Sequence, residues 1–134
     1  MNKKQKSLNN KGFSLVELII VIAIMAVLIG VLAPQYIKYV QQSRVSSDIT
    51  NAQEIATAIN VAIADGKIAA SSTEATFDNT NDIANVDNLD ALPTSKTKST
   101  YTWEIKYNSN GVTTITLGSK QIYPDASEFQ TANP

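Results

Sequence analysis

A single acidic side chain lies within a long apolar stretch near the start of the chain. Between Phe13 and Ala33, Glu17 is the only charged residue. Burying a carboxylate at the centre of a membrane-spanning helix costs about 2.5–3.5 kcal/mol, and the cost falls towards the interface. A carboxylate in such surroundings is suited to forming one half of an ion pair. We therefore expect an interaction that compensates this cost.

A second group of acids has the residue types that could bind calcium. Asp78, Thr80 and Asp82 stand at alternate positions in a polar stretch, and two further aspartates follow them. The pattern departs from an EF-hand loop, because Ile83 stands where that loop needs glycine and no glutamate follows at the twelfth position. We therefore interpret these acids as a solvated loop, with a structural calcium ion as the alternative, and we predict no cofactor.

The sequence lacks the residue types that several kinds of catalysis require. It contains no cysteine and no histidine, which excludes disulfide bonds, a thiol nucleophile and the usual zinc ligand sets. It also has no phosphate-binding loop and no catalytic triad. We therefore predict a protein that is not an enzyme.

The apolar stretch is long enough to cross a membrane. Residues 13–33 number 21, and at about 1.5 Å per residue a helix of this length covers a hydrocarbon core of roughly 30 Å. Four lysines precede the stretch, whereas only Lys38 and Arg44 follow it closely. The positive-inside rule then places the N-terminus in the cytoplasm and the remainder of the chain outside.

Two other interpretations of this stretch are a cleaved secretory signal peptide and a plain signal anchor. The first needs a small-residue cleavage site after the apolar run, but the candidate site at Val31-Leu32-Ala33 is followed by Pro34. The second gives no reason for Glu17. Helical periodicity also continues beyond Pro34, which favours one long helix of roughly 50 residues over either alternative.

The second half of this helix is amphipathic. Apolar residues recur there at intervals of four, three, four, three and four, whereas polar residues occupy the opposite face. Asp65 and Gly66 follow the last turn, where glycine readily adopts the left-handed conformation that ends a helix. The apolar stripe predicts packing against the protein's own domain, and it consists of Val45, Ile49, Ala52, Ala56, Ile59 and Ile63.

A weak point lies near the middle of the long helix. Pro34 has no amide hydrogen to donate to the carbonyl of Gly30, and Gly30 is itself a poor helix former. The segment from Gly30 to Pro34 is therefore the predicted site of a helix break. In an isolated subunit we expect only a modest kink there.

The C-terminal part of the chain predicts a small antiparallel sheet. Residues 101–107 alternate large apolar with polar residues, and Asn110-Gly111 indicates a tight hairpin. A β-branched partner strand follows over residues 112–117, and a third strand fits Lys120 to Tyr123 after Gly118-Ser119. The face predicted to cover the helix stripe carries Trp103, Ile105, Ile115 and Ile122.

These elements predict an α+β fold, in which a long N-terminal helix packs against a small antiparallel sheet. A polar connection over residues 66–100 joins helix and sheet, with a short helical turn possible between Asn81 and Leu92. The tail from Pro124 to Pro134 lacks apolar periodicity, so we expect it to run along the surface.

The start of the chain resembles the N-terminal segment of type IV pilins and of the related pseudopilins. The resemblance rests on Lys11-Gly12-Phe13-Ser14-Leu15-Val16-Glu17 followed by an apolar run that ends in Pro34. It implies a prepilin with a class III signal peptide and the pilin fold. The absence of cysteine departs from the many pilins that close a C-terminal loop with a disulfide, and it resembles disulfide-free pilins of Gram-positive bacteria.

The resemblance also implies how the chain is processed and assembled. A prepilin peptidase would cut between Gly12 and Phe13 and methylate the new amine of Phe13. Glu17 would pair with the Phe13 amine of a neighbouring subunit and set the register of a helical homopolymer. In the filament, the segment from Gly30 to Pro34 would melt into extended chain.

The function implied is that of a major-type pilin, a structural subunit of a surface filament used for adhesion, aggregation or twitching motility. A pseudopilin of a type II-like secretion system and a DNA-uptake pilin are the alternatives. The implied partners are the peptidase, an assembly ATPase and platform proteins of the inner membrane. The subunit would be a single-pass membrane protein before it joins an extracellular pilus.

Specific nucleic-acid binding has little support in the composition. Four of the eleven basic residues lie in residues 1–12, which leaves seven against twelve acidic residues after cleavage. The remaining lysines are scattered along the chain. The predicted division is a leader (1–12), an apolar membrane and filament-core helix (13–34), an amphipathic helix (35–65), a connecting loop (66–100), a β-meander (101–123) and a tail (124–134).

Overall fold

A computed structural model describes residues 12–134 of the protein. The chain divides into two compact units, one ending at Lys38 and the other running from Tyr39 to Pro134. Helix α1 covers Leu15–Ala64, and a 3₁₀ turn covers Asp82–Asn85. The remaining elements are β1 (Ala75–Thr76), β2 (Trp103–Asn108), β3 (Gly111–Leu117), β4 (Lys120–Tyr123) and α2 (Ser127–Ala132).

Helix α1 is 50 residues long and contains Pro34 in its interior. Gly30 has no neighbouring atom within 4 Å of the position that a Cβ would occupy. A proline removes one backbone hydrogen bond at a cost of about 3 kcal/mol, and the many remaining bonds of a helix this long can offset it. In the single subunit, α1 is therefore continuous across the predicted weak point.

The end of α1 has the geometry of a Schellman motif. Gly66 has φ +75°, and its amide donates to the carbonyl of Ile63 over 3.1 Å. The Lys67 amide donates to the carbonyl of Ala62 over 2.9 Å. These two bonds satisfy carbonyls that a helix end would otherwise leave unpaired. The Asp65-Gly66 stop predicted from the sequence is thus found one residue after Ala64.

The four strands form one antiparallel sheet in the order β1-β2-β3-β4. In the central hairpin, Ile105 is paired with Ile115 and Asn108 with Gly111. The predicted strands and both hairpins are present. Strand β1 is an addition to the expected meander, because Ala75 and Thr76 of the connecting loop pair with Tyr107 and Lys106.

The core of the second unit lies between α1 and the inner face of the sheet. Most of the predicted stripe residues are buried, and the four predicted sheet residues are all buried as well. This arrangement confirms the α+β fold. Besides the stripe residues, the fully or nearly fully buried apolar side chains include Ile55, Ile105, Ile115, Leu117, Ile122 and Phe129.

The polar side chain of Asn60 connects α1 to the tip of the sheet. Its Oδ1 accepts a hydrogen bond of 2.7 Å from the Val112 amide. The backbone of Gly111 comes so close that an added Cβ would lie 2.6 Å from the same oxygen. Gly111 therefore allows the hairpin to approach the helix.

The tail is mostly exposed, as expected, but it also forms a short helix that places one side chain in the core. Residues Ser127–Ala132 form α2, and the Phe129 side chain is fully buried. The Phe129 ring packs edge-on against Tyr101, with 6.3 Å between the ring centroids. One large aromatic residue is enough to anchor a segment this short, although it creates no periodicity that sequence analysis can detect.

Candidate functional site

The start of α1 is capped by a reciprocal pair of hydrogen bonds between Ser14 and Glu17. The Glu17 amide donates to Ser14 Oγ over 3.1 Å, and the Ser14 amide donates to Glu17 Oε2 over 3.3 Å. This is a capping box, in which two amides of the first turn obtain partners from side chains. The sequence analysis missed Ser14 in this role, although serine three residues before glutamate and an apolar run is the usual signal.

The capping box leaves Glu17 accessible to a further partner. The residue is exposed, and an ionised carboxylate offers about four acceptor positions on its two oxygens. Only one of these oxygens accepts the bond from Ser14. In the single subunit, Glu17 is thus held at the first helical turn and keeps unused acceptor capacity.

Gly12 and Phe13 immediately precede the capped turn. Both lie outside the helix, and the Phe13 side chain is 83% exposed. The structure therefore places the proposed scissile bond and Glu17 at the same end of α1, whereas Gly30 and Pro34 lie in the helix interior. The lysines of the leader fall outside the described residues 12–134.

The helix beyond Glu17 exposes an extensive apolar surface. Its most apolar 18-residue window has a mean hydropathy of 3.1, and no part of that window is buried within the protein. Soluble monomers rarely expose contiguous apolar patches above a few hundred Å². A helix of this length and composition could cross a membrane, and a bilayer or copies of the same helix would supply apolar surroundings.

Comparison with known proteins identifies the N-terminal segment. Residues 7–33 match the family model described as a prokaryotic N-terminal methylation motif. The N-terminal segment therefore carries this methylation motif. The matched residues include the Gly12–Phe13 bond, Ser14, Glu17 and most of the apolar surface described above.

The chain is similar to fimbrial proteins of other bacteria over its N-terminal part. It is 44% identical over 57 residues to a type IV major fimbrial protein FimA of Dichelobacter nodosus, covering 42% of the chain and 36% of the relative. It is 39% identical over 57 residues to a fimbrial protein of Pseudomonas aeruginosa, covering 42% and 37%. The alignments thus span little more than a third of these relatives. No solved structure matches the chain.

A buried carboxylate holds the connecting loop (residues 66–100) against α1. Asp48 is fully buried and accepts hydrogen bonds from Ser95 Oγ (2.7 Å), the Lys96 amide (2.8 Å) and the Thr97 amide (2.9 Å). Burial by itself would raise the pKa of Asp48. The hydrogen bonds donated by residues 95–97 outweigh it and lower the pKa below its usual value.

The sequence analysis missed Asp48, although a signal existed. The residue lies three positions after Val45 and four before Ala52, so it belongs to the apolar stripe rather than to the polar face. An acid on an apolar stripe must find partners when it is buried. Its partners are 47–49 residues away in sequence, and no local pattern could identify them.

Asp78 and Asp82, two of the acids considered as calcium ligands, form hydrogen bonds within their own turn. Asp78 accepts hydrogen bonds from the Thr80 amide (2.8 Å) and from the Asn81 amide (3.1 Å). The Asp78 amide donates to Asp82 over 2.8 Å. The bonds from Thr80 and Asn81 lower the pKa of Asp78 to about 2. Within residues 12–134, no three potential ligand side chains are grouped to hold a metal ion.

Proposed function

We propose that this protein is a pilin, the major-type structural subunit of a surface filament that serves adhesion, aggregation or twitching motility. The observation that carries the proposal is the exposed apolar helix with an accessible carboxylate at its first turn. Similarity to a major fimbrial protein supports it. Packed side by side, such helices would form an apolar filament core with Glu17 inside it. The protein's role is structural rather than enzymatic.

The proposed life cycle begins in the membrane. The apolar helix anchors the subunit with its N-terminus in the cytoplasm, where a prepilin peptidase has access to the Gly12–Phe13 bond. An assembly ATPase and platform proteins then draw the subunit out of the bilayer into the fibre. The motif matched over residues 7–33 supports the processing step.

Electron microscopy of cells that overexpress the chain tests the proposed function. We expect long surface fibres that bind an antibody raised against residues 66–134. The matched control is a strain that produces the same chain without the assembly ATPase and should carry no labelled fibres. If labelled protein stays at the cell envelope even with the complete machinery, a short pseudopilus replaces the pilus as the function.

Processing provides a separate prediction. The intact mass of the mature subunit should correspond to a chain that begins at Phe13 and carries one methyl group. Gly12→Val should lower the rate of cleavage roughly a hundredfold, because a side chain at this position displaces the scissile bond within a tight protease cleft. Asn10→Ala, also in the leader, is the matched control and should be cleaved normally. Equal cleavage of the two variants would contradict the role of Gly12.

Filament assembly should melt the segment from Gly30 to Pro34. The helix is continuous in the single subunit, but this segment lacks one backbone hydrogen bond and contains glycine. We expect a density map of the filament to show extended chain there. Pro34→Ala restores the missing amide donor and should stabilise the helix by about 3 kcal/mol. The segment should then stay helical in the filament. Unbroken helical density from Leu15 to Ala64 in the wild-type filament would rule out the break.

A further inference from the structure

Two exposed tyrosines follow the apolar stretch of α1. The side chains of Tyr36 and Tyr39 are 70% and 76% exposed. They lie three residues apart in one helix, a spacing that brings side chains to the same side of a helix. Tyrosine is enriched where a membrane-spanning helix leaves the bilayer, because its ring suits apolar surroundings and its hydroxyl needs a polar partner.

The distance along the helix fits the thickness of a bilayer. At about 1.5 Å per residue, the segment from Leu15 to Pro34 measures roughly 29 Å, which is close to the hydrocarbon thickness of about 30 Å. Tyr36 lies about 3 Å beyond Pro34 by the same measure. If Tyr36 lies at one membrane interface, the opposite edge of the hydrocarbon falls near Leu15.

This depth has consequences for the other end of the helix. Glu17 then lies about 3 Å inside the hydrocarbon edge, from where its carboxylate can reach the interface. The Gly12–Phe13 bond lies just outside the same edge. A shift of the helix by one turn, about 5 Å, would move this bond away from the membrane surface or carry it into the hydrocarbon.

The charges around the tyrosines favour lipid over a second copy of the chain. Lys38 lies between Tyr36 and Tyr39, and no acidic residue occurs from Leu18 to Ser47. An identical helix aligned in register would therefore bring no carboxylate close to Lys38. The phosphates of lipid headgroups supply the missing negative charge.

We propose that Tyr36 and Tyr39 bind the headgroup region of the outer leaflet and thereby set the depth of the subunit before assembly. By fixing this depth, they hold the Gly12–Phe13 bond at the cytoplasmic surface, within reach of a membrane peptidase. The inference rests on the proposed function, because it takes the first half of α1 as a membrane anchor. It adds a lipid partner and names the residues that bind it.

The effect of removing the tyrosines follows from the residues beside them. In the double variant Tyr36→Ala/Tyr39→Ala, small apolar side chains replace both aromatic rings, and Lys38 stays between them. The long side chain of Lys38 can still extend its ammonium group to the headgroups. The helix should then slide towards the cytoplasm by about one turn, or roughly three to four residues. Both side chains are largely exposed, so their removal leaves the core of the second unit intact.

The absence of cysteine from the chain allows this depth to be measured. Single cysteines are introduced into the full-length chain, labelled with an environment-sensitive fluorophore and reconstituted into vesicles of phosphatidylethanolamine and phosphatidylglycerol. The emission maximum then locates the first position in contact with water, whichever way the subunit is oriented. The labelled positions are Val31, Ala33, Gln35, Ile37, Gln41 and Ser43.

Two further double variants separate the preference of aromatic side chains for the membrane interface from the effect of side-chain size. Replacement of both tyrosines by tryptophan keeps an interfacial aromatic residue, so the water boundary should stay at its wild-type position. Replacement of both by leucine keeps a large side chain but favours the hydrocarbon, so the boundary should move by three to four residues or more, as with alanine. Cleavage of the alanine variant by the peptidase should slow, whereas the tryptophan variant should be cleaved at the wild-type rate.

The outcomes that overturn the inference are distinct from failure of the proposed function. An unchanged water boundary in the alanine and leucine variants would overturn it. If the boundary is unchanged but filaments are lost, the tyrosines contact neighbouring subunits instead of lipid. If no labelled position of the wild-type chain reports apolar surroundings, the membrane anchor itself fails, and with it the proposed function.

Discussion

Subunits with Glu17→Ala are expected to be cleaved and inserted into the membrane and yet to form few or no filaments. In the proposed filament core, the carboxylate of Glu17 pairs with the amine of Phe13 from a neighbouring subunit. Without the carboxylate, each neighbouring amine is left buried and unpaired, at a cost of about 3–5 kcal/mol. Because 1.4 kcal/mol corresponds to a factor of ten, each added subunit would bind at least a hundredfold more weakly.

The experiment compares filament yield with the amount of processed subunit in the membrane. Ser14→Ala is the matched control. It removes the hydroxyl that accepts a hydrogen bond from the Glu17 amide but keeps the negative charge of the Glu17 carboxylate. Loss of the cap should cost about 1 kcal/mol of helix stability and leave assembly largely intact. A normal yield of filaments from Glu17→Ala would refute the ion pair, and an equal loss in both variants would assign Glu17 to helix capping alone.

The second large effect is expected at Asp48. Asp48→Ala should lower the free energy of unfolding of the second unit by about 2–4 kcal/mol, because hydrogen bonds to a charged group are lost and buried donors are left without partners. Ser47→Ala is the matched control, since Ser47 is the adjacent exposed residue of the same helix. Its substitution should change stability by less than about 0.5 kcal/mol.

The fluorescence of Trp103 provides the measurement. This is the only tryptophan of the chain, and its Nε1 donates to the Pro93 carbonyl over 2.7 Å, close in sequence to the residues that bind Asp48. Urea unfolding of the full-length protein in detergent, followed at Trp103, should show a lower midpoint for Asp48→Ala. An unchanged midpoint would show that the loop is held by other contacts.

Asp48 should also make the second unit sensitive to acid. Its pKa is lowered in the folded state, so the unfolded chain binds a proton at higher pH than the folded chain does. The contribution of Asp48 is therefore complete at neutral pH. It declines once the pH falls below the ordinary aspartate pKa of 3.8 and is lost as the pH passes through the lower folded pKa. Between neutral pH and pH 3, Asp48→Asn should accordingly lose less stability than the wild type.

Features of this structure that depend on local sequence patterns were mostly predictable, whereas features that depend on contacts between distant segments were not. The apolar stripe of α1 and the hairpin at Asn110-Gly111 arise from periodicity and turn chemistry, and both were predicted. The partners of Asp48 and the burial of Phe129 depend on contacts between distant segments, so they could not be predicted. Ser14 was different, because its capping signal was local and was overlooked.

The same distinction applies to the candidate site. The sequence alone indicated Gly12, Phe13 and Glu17, because the site is a contiguous segment and needs no folding to bring its residues together. The structure added that Glu17 already has a hydrogen-bonding partner within its own subunit. Assembly would therefore exchange or share a hydrogen bond of the carboxylate, rather than pair a carboxylate that has no partner at all.

The packing of Phe129 against Tyr101 closes the C-terminal end of the second unit without a covalent bond. The Tyr101 hydroxyl also donates to Asn133 Oδ1 over 3.0 Å, so the last turn of the chain is held by aromatic packing and by a hydrogen bond. Because the chain has no cysteine, this closure requires neither a thiol oxidase nor a disulfide isomerase. Thiol reductants should therefore leave the folded domain intact, whereas they open domains that depend on a disulfide.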